Sequence, residues 1–147
     1  MAALASGVPS TLWTLASRGS LLDGALAAGS IVLRDERRPL PLLVAAVPVH
    51  LGLSFGWAAV LAVALPHRAT VPAAAVAGLG IAALDLGLIG RRLPRIAALP
   101  QPPQWADHVA FGLAVGVVVR ARRRARGARS RTTRGRYASA RSTERVS

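Results

Sequence analysis

Apolar residues run unbroken through two stretches of the chain, and each stretch carries a single ionisable side chain. Residues 40–65 contain only His50, and residues 69–90 contain only Asp85. A water-exposed helix of such length needs a polar face, and neither stretch has one. As helices they would span roughly 39 and 33 Å, against a hydrocarbon core of roughly 30 Å. The pattern therefore predicts two membrane-spanning helices. Thr70 is the expected N-cap of the second, with Pro72 tolerated in its first turn. A third apolar segment, residues 105–119, reaches only about 22 Å. Trp105 is expected at its headgroup belt, with Arg120 snorkelling at the far end.

Shorter helices are expected before these spans. Residues 1–17 are uncharged until Arg18, with Gly7 and Pro9 as interruptions, and Ser10 or Thr11 as caps. The stretch has no positive n-region, so it does not read as a signal peptide. Residues 21–33 follow a capping-box-like start at Ser20, and place Leu22, Ala25, Leu26, Gly29 and Leu33 on one stripe. Between the second and third spans, Pro94, Pro100, Pro102 and Pro103 predict a stiff, extended connector.

The sequence thus predicts an all-α integral membrane helical bundle with three to four hydrophobic helices over residues 1–119. The remaining residues, 120–147, read as a disordered Arg-rich tail, helical at most in its first turns. All nineteen basic residues are Arg, and eleven of them follow Val119. The positive-inside rule puts that tail in the cytoplasm. If residues 105–119 cross, the loops holding Arg34 and Arg91 face outward. If they do not cross, seventeen Arg lie on one side against Arg68 alone. Crossing is favoured, because re-entrant chain at membrane depth must be covered by other protein.

Candidate chemistry is sparse. In an antiparallel hairpin turning between His67 and Arg68, residues 50 and 85 lie at one depth. His50 and Asp85 are therefore expected to meet, as a proton-sharing pair or as a polar clip between helices. Pro48 opens the helix beside His50 by freeing the Val44 carbonyl. Asp107 and His108 form a second, interfacial polar group. The spacing of His and carboxylates matches no metal motif, and no phosphate loop, nucleophile elbow or triad is present. No metal or cofactor is expected, and nothing specific points to an enzymatic activity. The chain has no Cys, which excludes thiolate chemistry and disulfides.

Small residues four apart, Gly52 with Gly56 and Gly112 with Gly116, suit close helix packing within the bundle or in a homo-oligomer. In the tail, Arg120, Arg122, Arg123, Arg124 and Arg126 are candidates for contact with anionic lipid headgroups. Nucleic acid is a weaker partner, since Tyr137 is the tail's one aromatic and provides no stacking platform.

Several phrases occur together: Gly7-Val8-Pro9-Ser10-Thr11, then residues 84–92 (LDLGLIGRR), then Asp107-His108 followed by Phe111-Gly112. This set resembles small multi-pass membrane proteins of high-GC Gram-positive bacteria. The resemblance implies a four-helix-like membrane unit over residues 7–119, without a biochemical activity. It also implies a fuller apolar helix before Gly7, so the expectation is either a first span cut short at Met1 or a start that lies upstream of it. The sequence reading is a non-enzymatic structural or accessory membrane protein. Its alternatives are a small transport or proton-relay subunit built on His50 and Asp85, and a tail-mediated adaptor.

Overall fold

The structure is a computed structural model that describes residues 7–144, with side chains described as far as Ala128. Residues 1–6 of the expected first helix lie outside the described residues. The fold is all-helical, with no strand among the described residues. Its elements are α1 (Val8–Ala16), α2 (Asp23–Gly29), α3 (Pro39–Ala64), α4 (Thr70–Ala82), α5 (Pro94–Ala97) and α6 (Gln101–Glu144). From α4 the chain continues without a break into a π-helical segment, Ala83–Ile89, and a 3₁₀ turn, Gly90–Arg92.

Prolines set several of these boundaries. Pro39 opens α3 and Pro94 opens α5, where the first-turn N–H groups have no intrahelical acceptor to lose. The same physics corrects the expected extended connector. Pro102 and Pro103 sit in the first turn of α6 instead of preventing it. Beyond Val119 the helix runs on to Glu144, through the segment read as a disordered tail. No proline follows Pro103, and Ala and Arg rank among the strongest helix formers.

The turn from α3 to α4 places Ala69 in the left-handed region at φ 56°. Ala69 is the N-cap of α4, and Thr70 is its first residue. The Thr70 hydroxyl donates back to the carbonyls of Pro66 (2.8 Å) and His67 (3.2 Å), so it tightens the turn and does not cap the helix.

The tightest helix pairing joins α4 to α6, and glycines make it. A Cβ on Gly112 would strike the Ala74 carbonyl and lie 3.2 Å from the Gly78 Cα. A Cβ on Gly78 would strike the His108 carbonyl, and one on Gly116 would come within 2.7 Å of the Ala74 Cβ. Side chains then fill the space around the seam. Leu61 and Leu65 of α3 and its C-terminal end, Ala74 and Ile81 of α4, and Phe111 and Val115 of α6 share one apolar cluster. A second cluster gathers Ala27, Ala82, Leu86, Leu93 and Ile96, with Trp105 packed against it. Trp105 is thus anchored on protein. Meanwhile α2 docks closely on α3, where Gly29 abuts the Leu42 backbone.

The expected α3–α4 hairpin does not zip along its length. Instead, α3 leaves most of its surface uncovered. Only 6% of its most apolar window is buried, against 33% for Thr70–Arg92, and both are long and apolar enough to cross a membrane.

Candidate functional site

Asp85 lies within the π-helical segment, where the Gly90 N–H donates to the Asp85 carbonyl. Hydrogen bonds from i to i+5 widen the helix and turn the side chains that follow out of α-helical register. A Cβ on Gly90 would come within 2.8 Å of both the Asp85 carbonyl oxygen and Ile96 Cγ2, so the wide turn closes against α5 only because residue 90 is glycine.

Two side chains converge on the Asp85 carboxylate. Trp57 Nε1 of α3 donates to Oδ2 at 3.1 Å. His108 Nε2 of α6 stands 3.7 Å from the same oxygen, an ion-pair distance longer than a direct hydrogen bond. The side chains of His108 and Asp85 are 23% and 19% exposed, so water screens the pair only partly.

The second ring nitrogen defines the chemistry. His108 Nδ1 lies 2.8 Å from the Gln104 carbonyl oxygen, one turn earlier on α6. A carbonyl oxygen can only accept, so Nδ1 carries a proton. In a neutral ring Nε2 then presents a lone pair to Asp85. A neutral imidazole and an ionised carboxylate would face each other lone pair to lone pair. One added proton removes the conflict, either as a carboxylic acid facing Nε2 or as an imidazolium facing a carboxylate. Asp85 and His108 therefore form a site suited to holding one proton between them.

The other expected site residues fall as follows. His50 has no hydrogen bond or ion pair with Asp85 among the described residues, but it lines the same cavity. Asp107 Oδ1 accepts the Ser10 N–H at 2.9 Å, which satisfies a free donor in the first turn of α1 and docks that helix on α6. Gly112 and Gly116 form the α4–α6 seam, whereas Gly52 and Gly56 face open space, with nothing within 4 Å of a Cβ at either position. Arg123 is occupied within the fold. Its guanidinium donates to the carbonyls of Pro66 (3.0 Å), Leu65 (3.0 Å) and Ala62 (3.3 Å) at the C-terminal end of α3. Arg120, Arg122, Arg124 and Arg126 are exposed.

Trp57 and Gln104 were not expected at the site. The signal for Trp57 was present: an indole N–H on a long apolar helix needs an acceptor. Trp57 also follows His50 by seven residues, so both lie on one face of α3. The sequence thus identified the face that looks toward Asp85, but chose the residue two turns away.

The cavity at this site has a volume of about 580 Å³. Its ionisable lining is His50, Asp85, Asp107 and His108, and Trp57 and Phe111 contribute aromatic wall. Comparison with protein-family models, with curated proteins and with solved structures finds no match to this chain.

Proposed function

We propose that this chain is a helical membrane protein in which Asp85 and His108 hold a transferable proton, as a proton-relay or proton-coupled transport subunit. Membrane residence is supported by α3, whose Phe55 is 73% and Val63 87% exposed along a helix with no polar face. In water, such a continuous apolar surface would drive association, whereas in a bilayer it faces lipid. With α3, the Thr70–Arg92 helix and the first half of α6 as spans, the Arg-rich end of α6 lies in the cytoplasm. Exposed Arg120, Arg122 and Arg124 then meet anionic headgroups.

The observation that carries the functional reading is the Nδ1 contact with Gln104. It leaves the other ring nitrogen, 3.7 Å from Asp85, as the one available for proton exchange. An ionisable pair at membrane depth is costly to maintain, and such pairs mark proton and substrate pathways. Trp57 and His108 meet the Asp85 carboxylate, and the other ionisable groups lining its cavity are His50 of α3 and Asp107 of α6, with no Arg among the described residues. The test is proton flux into proteoliposomes containing a pH-sensitive dye, driven by an imposed potential. Wild type should conduct. Asp85→Asn and His108→Gln should not, while both retain wild-type helicity by circular dichroism. Intact flux in folded Asp85→Asn would return the chain to the structural role that the α4–α6 seam alone supports.

A further inference from the structure

We infer that the cavity beside Asp85 binds a quaternary organic cation with an apolar body, an aryl or alkyl onium ion, with the Asp85 carboxylate as its counter-charge. This deepens the proton-holding reading of Asp85 and rests on it. Three features define the ligand: size, charge and donor count.

At about 580 Å³ the cavity falls within the usual range for small-molecule sites, about 300–1,000 Å³. Its wall is predominantly apolar, with Ile31, Leu53, Leu86 and Ile89 contributed by the chain around α2, α3 and the π-helical segment. A small inorganic ion would leave most of that wall dry and empty. A ligand of matching size must carry hydrocarbon.

Charge selects the sign. The chain holds nineteen Arg and a formal net charge of +13, yet no Arg lines this cavity among the described residues. Its fixed-charge candidates are two carboxylates, with two imidazoles beside them. An anionic ligand would meet carboxylates and no permanent cation. Of the two carboxylates, Asp107 is engaged by the Ser10 N–H. Asp85 accepts from Trp57 at Oδ2, and Oδ1 has no hydrogen-bond donor among the described residues. Trp57 and Phe111 are among the lining residues, and aromatic rings attract weakly hydrated cations.

Donor count selects the kind of cation. A primary ammonium or a guanidinium brings three to five N–H donors, each needing an acceptor once water is stripped away. Besides its carboxylates, the wall offers only a few polar side chains, such as Ser54 and Gln104. A quaternary onium has no N–H to satisfy, so it loses least on entry. Charge balance then couples it to the relay. One cation enters, and one proton leaves the Asp85–His108 pair.

The test is isothermal titration of the purified full-length protein in neutral detergent with tetraphenylphosphonium, and with tetraphenylborate, the anion of the same shape. The phosphonium should bind saturably and release one proton per cation, read from buffers of different ionisation enthalpy. Its affinity should weaken on acidification, by about tenfold per pH unit where one proton is released per cation. Tetraphenylborate should not bind. Asp85→Asn should lose binding, and Asp85→Glu should keep it, which separates lost charge from lost fold. Equal binding of the borate, or wild-type binding by Asp85→Asn, would overturn the inference, as would no phosphonium binding at all. Phosphonium binding without proton release would keep the ligand class and overturn the relay. Proton flux in proteoliposomes free of organic cation, paired with no phosphonium binding, would keep the relay and overturn the ligand.

Discussion

Replacing Gly112 with alanine tests the packing that positions His108. A Cβ there would press on the Ala74 carbonyl, 3.1 Å from its carbon and closer still to its oxygen, and 3.2 Å from the Gly78 Cα. These are backbone atoms of α4, so no rotamer change relieves the contact, and one helix must retreat. Overpacking of this kind costs about 1–3 kcal/mol, and a backbone-on-backbone clash belongs at the upper end. Alanine returns about 1 kcal/mol through its better helix propensity. The net destabilisation is then about 2 kcal/mol, a fall in Tm on the order of 5 °C for a chain of this size. Gly52→Ala is the matched control, since nothing lies within 4 Å of its Cβ. It should be neutral or stabilising by up to about 1 kcal/mol. Thermal melts in one detergent, followed by circular dichroism, compare the two directly. Equal stability of Gly112→Ala and Gly52→Ala would refute the α4–α6 seam.

Three further outcomes follow from single contacts. Asp107→Ala removes the acceptor for the Ser10 N–H and should destabilise by about 1 kcal/mol, with faster amide exchange in α1, while Asp107→Asn keeps an acceptor oxygen and loses less. Arg123→Ala should loosen the end of α3 by about 1 kcal/mol in thermal melts, because three carbonyls lose their donor, whereas Arg122→Ala should change nothing. In the loop before α3, the Glu36 carboxylate accepts from the side chain and backbone of Arg38, which hold its pKa at about 2, below the ordinary 4.5. A lowered folded pKa makes this contact fully present above pH 4.5 and progressively lost as the pH falls toward 2. NMR of the Glu36 carboxyl carbon should show that low titration, and Arg38→Ala should return it toward 4.5.

What the sequence reveals and what it hides divide along physical lines. The apolar length of α3 is legible, because a run from Leu40 to Leu65 bounded by Pro39 and Pro66 leaves little freedom for its ends. The glycine seam is legible as a pattern but not as a choice. Gly52 with Gly56 and Gly112 with Gly116 share one spacing, and only the second pair meets another helix. The polar partner of Asp85 is hidden for two reasons. Depth matching about the turn assumes a zipped α3–α4 hairpin, whereas α4 packs on α6, and the π-helical segment shifts Asp85 out of α-helical register. His108 therefore reaches Asp85 from a helix that lies outside that hairpin. The prolines before Trp105 mislead in the opposite direction. They read as breakers, yet at the start of α6 they cost no hydrogen bond.

In the proposed relay, Gln104 fixes a proton on His108 Nδ1, so that Nε2 exchanges its proton with Asp85. Nitrogen-15 NMR of the His108 ring, followed across pH in lipid bilayers, measures this directly. Nδ1 should stay protonated throughout while Nε2 gains and loses a proton, and Asp85→Asn should shift the Nε2 signal's pH dependence. A neutral ring protonated at Nε2, with Nδ1 bare, would contradict it.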